Sequence, residues 1–215
     1  MGNTALIKIL VVDDHALIRR GMKQIFDDTP DLRVTGEAEN GMQALKMVQE
    51  NTYDLVLLDI NMPDKNGIEV LKKIKTFSPH LPLLILSTYA EDQYALRAIK
   101  TGAAGYLNKG SAPEQLVIAI RQVASGKKYI SKEVEGQLVD NLSHGYQELL
   151  HQKLSNREYQ TLCLIASGKK LSEMAEIMSL SVKTVSEYRA RLLVKMNLKN
   201  NAEAIQYAIT HNLIL

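Results

Sequence analysis

Five short apolar segments alternate with five amphipathic segments over the first 124 residues, and this alternation constrains the fold more than any other feature. The predicted strands are Ile7–Val12, Leu32–Ala38, Leu55–Leu58, Leu81–Leu86 and Gly105–Leu107. The predicted helices are Ala16–Phe26, Gly41–Glu50, Gly67–Phe77, Glu91–Thr101 and Pro113–Ala124. In the first helix, the predicted apolar stripe consists of Leu17, Ile18, Met22, Ile25 and Phe26. The pattern predicts an α/β domain with a five-stranded parallel sheet, helices on both faces and a flavodoxin-like doubly wound topology.

Polar side chains follow four of the predicted strands. They are Asp13, Asp14, Asp59, Ser87 and Lys109. The carboxyl ends of parallel strands meet at one edge of a sheet, so we expect these side chains to lie close together. Taken alone, Asp59 fits two interpretations equally well: an acid tied to a nearby amide, or a functional carboxylate. Its companions at the same edge favour the functional interpretation.

The chemistry of these side chains favours phosphoryl transfer. Clustered carboxylates repel one another unless a cation lies among them, and an oxygen-rich site suits Mg²⁺. A carboxylate beside Mg²⁺ can attack a phosphoryl group, while Lys109 neutralises its oxygens and Ser87 donates a hydrogen bond. The sequence has no glycine-rich phosphate loop, so the pattern favours a phosphate acceptor over an enzyme with multiple turnovers.

Two alternatives stay open on the residues alone. The first is a Mg²⁺-dependent phosphohydrolase with Asp59 as nucleophile, although Asn61 stands where its second acid or base is needed. The second is a DNA-binding or adaptor protein that works without phosphorylation and keeps an acid cluster of no function.

Residues 6–124 resemble the receiver domain of response regulators. The resemblance is carried by Asp13–Asp14, Asp59 after the residues LVLL, Met62–Pro63, Ser87, and Gly105–Tyr106 leading to Lys109. It implies that Asp59 is the phosphoacceptor for a sensor histidine kinase, and that the protein is not itself an enzyme. It implies Mg²⁺ ligation by Asp14, Asp59 and the backbone carbonyl of Asn61, with Asp13 acting through water. Ser87 and Lys109 would contact the phosphoryl group, and Tyr106 matches the switch aromatic residue of the family.

The second half of the chain has a different pattern. We predict a receiver domain at 1–124, a linker with a helical part at 125–149 and a small all-α domain at 150–215. The linker helix is indicated by the apolar spacing of Val134, Leu138 and Leu142. The helices of the last domain are predicted at Ser155–Ser167, Ser172–Met178, Val182–Met196 and from Asn200 to about His211. Two helices joined by a short turn, the second of them basic, predict a helix-turn-helix, although a helical bundle with a solvated basic face has the same pattern.

Residues 150–213 resemble the LuxR-type output domain of the NarL/FixJ family. The matching segments are Leu154–Ser155, Arg157–Glu158, Ala166–Gly168, Met174–Ala175, Val182–Val185 and Lys195–Met196. The resemblance implies that Lys183 and Thr184 contact DNA phosphates, and that Ser186, Glu187 and Arg189 lie near bases. We predict Arg191 and Lys195 as further DNA-binding residues. Promoter DNA is then the second partner, bound by a homodimer that phosphorylation favours.

Charge and composition agree with this interpretation. The segment Ser181–Lys199 has five basic residues and one acid, in a chain whose net charge is only +2. No apolar run approaches the roughly 18 residues of a membrane span, and the N-terminus has no signal-peptide pattern. The single cysteine, Cys163, excludes an internal disulfide and most zinc sites. We therefore expect a cytoplasmic protein without a membrane partner.

Overall fold

A five-stranded parallel sheet forms the first of two compact units, which span residues 1–138 and 139–215. The structure, a computed structural model, describes residues 6–62, 66–88, 91–132, 134–136, 149–211 and 213. The strands are β1 (Ile7–Val12), β2 (Leu32–Ala38), β3 (Leu55–Asp59), β4 (Leu83–Ser87) and β5 (Gly105–Asn108). Their order in the sheet is β2-β1-β3-β4-β5, and every pair is parallel. The predicted doubly wound fold is confirmed.

Helices connect the strands, as the alternating pattern predicts. They are α1 (Ala16–Asp27), α2 (Gly41–Glu50), α3 (Gly67–Phe77), α4 (Glu91–Thr101) and α5 (Pro113–Ala124). Strand β3 lies at the centre of the sheet, and all five of its residues are buried. An unbroken apolar run suits this position because both faces of a central parallel strand are covered. Asp59 therefore comes directly after the best-packed part of the core.

Four strand boundaries differ from the predicted ones, and one of them is the end of β4, which lies at Ser87 rather than Leu86. β4 begins at Leu83 rather than Leu81, because Pro82 has no backbone N–H to give to a sheet. β3 continues through Asp59, and β5 through Asn108. Asp59 and Ser87 are thus the last residues of their strands, so the sheet fixes the backbone positions from which their side chains extend.

The apolar stripe of α1 differs from the prediction at two positions. Leu17 is 81% exposed and Ile18 is 37% exposed, whereas Met22 and Phe26 are buried as predicted. Arg19 is buried with Met22 and Phe26, and the spacing of these three residues matches the period of a helix. The helix is therefore rotated relative to the predicted stripe, and a charged residue occupies part of its inner face.

The second unit is helical over its described residues. Its elements are a short 3₁₀ helix (Leu150–Lys153), α6 (Asn156–Ala166), α7 (Leu171–Ile177), α8 (Val182–Lys195) and α9 (Asn201–Thr210). Helix α6 is buried from Arg157 to Ile165 and packs against α8 and α9. The inner residues predicted for α8, Val185, Leu192 and Met196, are all buried.

Side-chain caps fix where these helices begin. The predicted capping box at the start of α6 is present, since Ser155 accepts from the backbone N–H of Glu158 and Glu158 accepts in return. Ser181 caps α8 in the same way by accepting from the N–H of Thr184. In the turn between α7 and α8, Ser179 has a φ of 52°, which reverses the chain within a few residues.

The predicted linker begins as part of the sheet edge. Tyr129 forms a parallel bridge with Gly105, and its carbonyl accepts from the N–H of Tyr106. Val134 is buried within the short helical stretch 134–136, whereas Leu138 and Leu142 lie outside the described residues. In the part of the chain that the structure describes, no helix has the length and apolar character to cross a membrane.

Candidate functional site

Three carboxylates converge at the carboxyl edge of the sheet. Asp13 follows β1 and Asp59 closes β3, and these neighbouring strands are paired up to Val12 and Leu58. Ligand atoms of Asp13, Asp14, Asp59 and His15 all lie within 4.8 Å of one another. Asp13 and Asp59 are buried, whereas Asp14 is partly exposed. The sequence prediction that these acids meet at one edge is therefore confirmed by the geometry.

Lys109 supplies the positive charge of this pocket. Its Nζ donates to Asp13 Oδ2 at 2.6 Å and lies 2.7 Å from Asp59 Oδ2. The backbone N–H of Lys109 donates to the carbonyl of Ser87, which fixes the start of the lysine side chain beside β4. Lys109 follows β5, and its ammonium group thus reaches past β4 to both buried carboxylates.

Burial and charge act in opposite directions on the protonation of these groups. Burial raises the pKa of Asp59 to about 6, although the nearby ammonium of Lys109 partly offsets this effect. Burial lowers the pKa of Lys109, but Asp59 and Asp13 more than compensate, and the net direction is upward. One ammonium faces three carboxyl groups, so the pocket favours a further cation. Three converging carboxylates are hard oxygen donors, as expected of a site for a divalent metal ion.

The remaining receiver residues take up positions around the pocket. The backbone N–H of Asn61 donates to Asp59 Oδ1 at 3.2 Å. Ser87 is fully buried as the last residue of β4. Tyr106 is also fully buried, but it lies on β5 opposite Ile85, two residues back from the edge where Ser87 pairs with Asn108. Its predicted switch role stays a prediction.

Two residues that touch the acidic loop are not among the predicted site residues. His15 Nδ1 lies 3.1 Å from Asp13 Oδ1 and 2.9 Å from Asp14 Oδ1. Arg19 Nη1 donates to the backbone carbonyl of Asp13 at 2.8 Å. The sequence signal for Arg19 was its spacing from Met22 and Phe26, which places a cation on the buried face of α1.

The predicted DNA-binding side chains of α8 differ in their exposure and in their partners. Lys183 is exposed at the first turn, and its side chain makes no hydrogen bond or ion pair with any described residue. Glu187 and Arg191 are exposed and pair with each other at 3.1 Å. Thr184, Ser186 and Arg189 are partly buried. The exposed positions 182, 183, 187, 190, 191, 194 and 195 run the whole length of the helix.

Two predicted DNA-binding residues are held by other parts of the second unit. Arg189 Nε donates to Asn201 Oδ1 at 2.6 Å, which ties α8 to the start of α9. Lys195 Nζ donates to Glu158 Oε2 at 2.7 Å, which ties the end of α8 to the start of α6. Burial raises the pKa of Glu158, but Lys195 and the Ser155 N–H outweigh it, and the net direction is downward.

Comparison with known proteins identifies both units. Residues 9–121 match the family described as the response regulator receiver domain, and residues 152–208 match the bacterial regulatory proteins of the luxR family. The chain is 37% identical over 209 residues to the response regulator UvrY of Escherichia coli K12, covering 97% of this chain and 96% of UvrY.

Solved structures agree with this relationship. A two-component response regulator of the LuxR family from Aurantimonas sp. SI85-9A1 is 29% identical, covers 64% of this chain and 99% of its own, and has a TM-score of 0.59. RcsB from Salmonella enterica serovar Typhimurium, solved bound to the promoter rprA, is 23% identical with a TM-score of 0.62, covers 94% of this chain and 98% of its own, and shares the fold. The chain therefore belongs to the NarL/FixJ family of response regulators, and it is a transcription regulator with a receiver domain and a LuxR-type DNA-binding domain rather than an enzyme.

Proposed function

We propose that Asp59 accepts a phosphoryl group from a sensor histidine kinase, and that this modification controls dimerisation and promoter binding. The convergence of Asp13, Asp14, Asp59 and Lys109 at one edge of the sheet carries the proposal. A carboxylate held between an ammonium and further acids suits reaction with a phosphoryl group once a divalent ion offsets the negative charge.

In our proposal the transfer takes place at the edge of the sheet where the carboxylates converge. A carboxylate oxygen of Asp59 attacks phosphorus, the P–N bond to the donor histidine breaks, and the imidazole leaves with the electron pair and takes up a proton. Lys109 moves its contacts from the free carboxylates to a phosphoryl oxygen, and Ser87 donates to another. Asp14, Asp59 and the backbone carbonyl of Asn61 would hold Mg²⁺ directly, and Asp13 would hold it through water. When bound, the ion would supply positive charge that stabilises the phosphoryl oxygens.

The response to phosphorylation is a shift between two conformations of the receiver. A phosphoryl group that bonds to Ser87 and Lys109 favours the conformation in which both side chains face it. Tyr106, on the strand beside Ser87, changes its position with that shift. We assign residues 1–124 to the receiver, 125–149 to the linker and 150–215 to the DNA-binding domain.

The second domain delivers the output. In our proposal α8 enters the major groove of promoter DNA as the recognition helix of a homodimer. Lys183 and Thr184 contact phosphates, and Ser186, Glu187 and Arg189 face bases, with Arg191 and Lys195 at the side of the helix. RcsB, which shares this fold, was solved on promoter DNA. Because its DNA target lies there, we place the protein in the bacterial cytoplasm.

A phosphodonor experiment tests the proposal directly. Acetyl phosphate with Mg²⁺ is expected to shift the full-length protein from monomer towards dimer, measured by analytical ultracentrifugation. The same treatment is expected to tighten binding to a promoter fragment that carries two half-sites, measured by fluorescence anisotropy. A protein that takes up phosphate without a change in either measurement would contradict the regulatory part of the proposal.

Lys183→Ala is expected to weaken DNA binding on every sequence by about tenfold, because a single charge-assisted contact to a phosphate is lost. Titrations at several salt concentrations should show that the slope of the logarithm of the binding constant against the logarithm of the salt concentration is smaller in magnitude by about one. Lys72→Ala is the matched control, because it removes an exposed lysine from α3 in the other unit. An unchanged salt slope in Lys183→Ala would argue against a phosphate contact at this position.

A further inference from the structure

Arg19 is a buried cation that lies directly under the loop bearing the acids. Its side chain is 9% exposed, in a helix whose other buried residues are Met22 and Phe26. A guanidinium group cannot lose its charge, so its burial is tolerated only where its donors are satisfied. All three of its nitrogens meet this condition: Nη1 donates to the Asp13 carbonyl, Nη2 to Glu39 at 2.8 Å and Nε to Glu37 at 3.4 Å.

These contacts fix the backbone of Asp13 from two sides. Arg19 holds the carbonyl of Asp13, and the N–H of Asp13 donates to the carbonyl of Ala38 at the end of β2. The two acids that anchor Arg19, Glu37 and Glu39, lie on either side of Ala38. The peptide group between Asp13 and Asp14 is therefore held by hydrogen bonds of one side chain, Arg19, which belongs to α1 and is itself bonded to acids at the end of β2.

The acids need such a restraint. Asp13, Asp14 and Asp59 repel one another, and the repulsion would move the loop between β1 and α1 away from Asp59. Lys109 restrains the side chain of Asp13, but among the described residues it makes no hydrogen bond with the backbone of the loop. Among the described residues, Arg19 donates to the backbone of the loop and forms no hydrogen bond or ion pair with the three carboxylate groups, so it can set their position without occupying the place of a cation.

We propose that Arg19 is a positioning residue for the divalent cation, and that it holds the β1–α1 loop where Asp13 and Asp14 face Asp59. The inference rests on the proposed function, because the cation is the one that phosphate uptake requires. Groups that orient metal ligands through hydrogen bonds commonly change metal affinity by about 10–100-fold when they are removed.

The sign of the effect separates positioning from simple electrostatics. If Arg19 acted only through its charge, its removal would relieve repulsion and tighten cation binding. If it positions the loop, Arg19→Gln weakens binding although a positive charge has gone. Arg19→Lys keeps the charge but cannot make the three directed contacts, so positioning predicts weaker binding and electrostatics predicts no change.

The experiment is a Mg²⁺ titration of the full-length protein by isothermal calorimetry. We expect the Kd to rise about tenfold or more in Arg19→Gln and to rise also in Arg19→Lys. Arg20→Gln is the matched control, since Arg20 is the exposed neighbour on the same helix, and its Kd should equal or fall slightly below that of the wild type. The Mg²⁺ concentration for half-maximal phosphate uptake from acetyl phosphate should rise by the same factor, while the maximal rate recovers at saturating Mg²⁺.

The outcomes are distinguishable. Equal or tighter Mg²⁺ binding in Arg19→Gln, or an unchanged Kd in Arg19→Lys, would overturn the positioning role and leave the proposed function intact. A maximal rate that saturating Mg²⁺ does not restore would also overturn it, because the defect would then not lie in cation binding. If Arg19→Gln does not fold, as judged by its thermal melt, Arg19→Lys decides. A wild-type protein that bound no Mg²⁺ would overturn the proposed function itself, and this inference with it.

Discussion

Asp59→Asn is expected to abolish phosphate uptake from acetyl phosphate, as measured by intact-protein mass spectrometry. The amide cannot act as the attacking oxygen anion, and the other described acids of the pocket lack its contacts with both Lys109 and the N–H of Asn61. The assay should be run well above pH 6, because burial raises the pKa of Asp59 to about 6 and only the ionised form reacts. Phosphodonor-dependent dimerisation and DNA binding are expected to disappear with the modification.

The control for this variant lies on the same strand segment. Asp54 is exposed just before β3, at the opposite end from Asp59, and accepts a hydrogen bond from the N–H of Lys8. Asp54→Asn should keep full phosphate uptake. Asp59→Asn should also melt at or above the wild-type temperature, because a neutral side chain replaces one that is buried among like charges. Retained uptake in a folded Asp59→Asn variant would rule out Asp59 as the acceptor.

Glu158→Ala is expected to destabilise the DNA-binding unit by about 2 kcal/mol, the combined loss of a helix cap and a charge-assisted hydrogen bond. One carboxylate makes both contacts, accepting from the Ser155 N–H and from Lys195 Nζ at 2.7 Å each. It is 3% exposed, so solvent does not replace these partners. Hydrogen exchange of peptides from α6 and α8 is the suitable measurement, because it reports on this unit separately from the receiver.

The expected increase in exchange rate is about 30-fold, which corresponds to 2 kcal/mol. The stabilisation that the ionised Glu158 carboxylate provides depends on pH. Because the folded pKa of Glu158 lies below its ordinary value of 4.5, the contribution is present above pH 4.5 and is lost as the pH falls through the folded value.

Glu187→Ala is the control for Glu158→Ala. Its carboxylate also pairs with a basic residue of α8, Arg191, but both side chains are about half exposed. An exposed pair of this kind contributes at most about 1 kcal/mol, so exchange should change little. Similar exchange rates in the two variants would show that the Glu158 contacts do not stabilise the unit.

The sequence was sufficient for the features that depend on local patterns. The strand and helix order followed from apolar periodicity, and the meeting of Asp13, Asp59 and Lys109 followed from the rule that parallel strands end at one edge. The capping box at Ser155 was also a local signal. In each case the information lies within a few residues or in the topology of the sheet.

Contacts between distant segments were not predictable in the same way. Arg19 is paired with Glu37 and Glu39, and Lys195 with Glu158, and each pair joins elements that are far apart in sequence. An arginine on a surface helix is usually solvated, so its burial depends on acids that only the folded chain brings near. For the same reason the predicted stripe of α1 was wrong at Leu17 and Ile18, whose apolar character gave no sign of their exposure.

The bonds from α8 to its neighbours have a consequence for how this regulator can diversify. Arg189 and Lys195 fasten the middle and the end of the helix to the rest of its unit, whereas Lys183 at its first turn has no described partner. Exposed side chains without a bond to another element, such as Lys183 and Glu187, can therefore be substituted at little cost in stability. In our proposal Glu187 faces bases and Lys183 contacts a phosphate, so substitution of Glu187 changes which operator is read, whereas substitution of Lys183 changes affinity on every sequence.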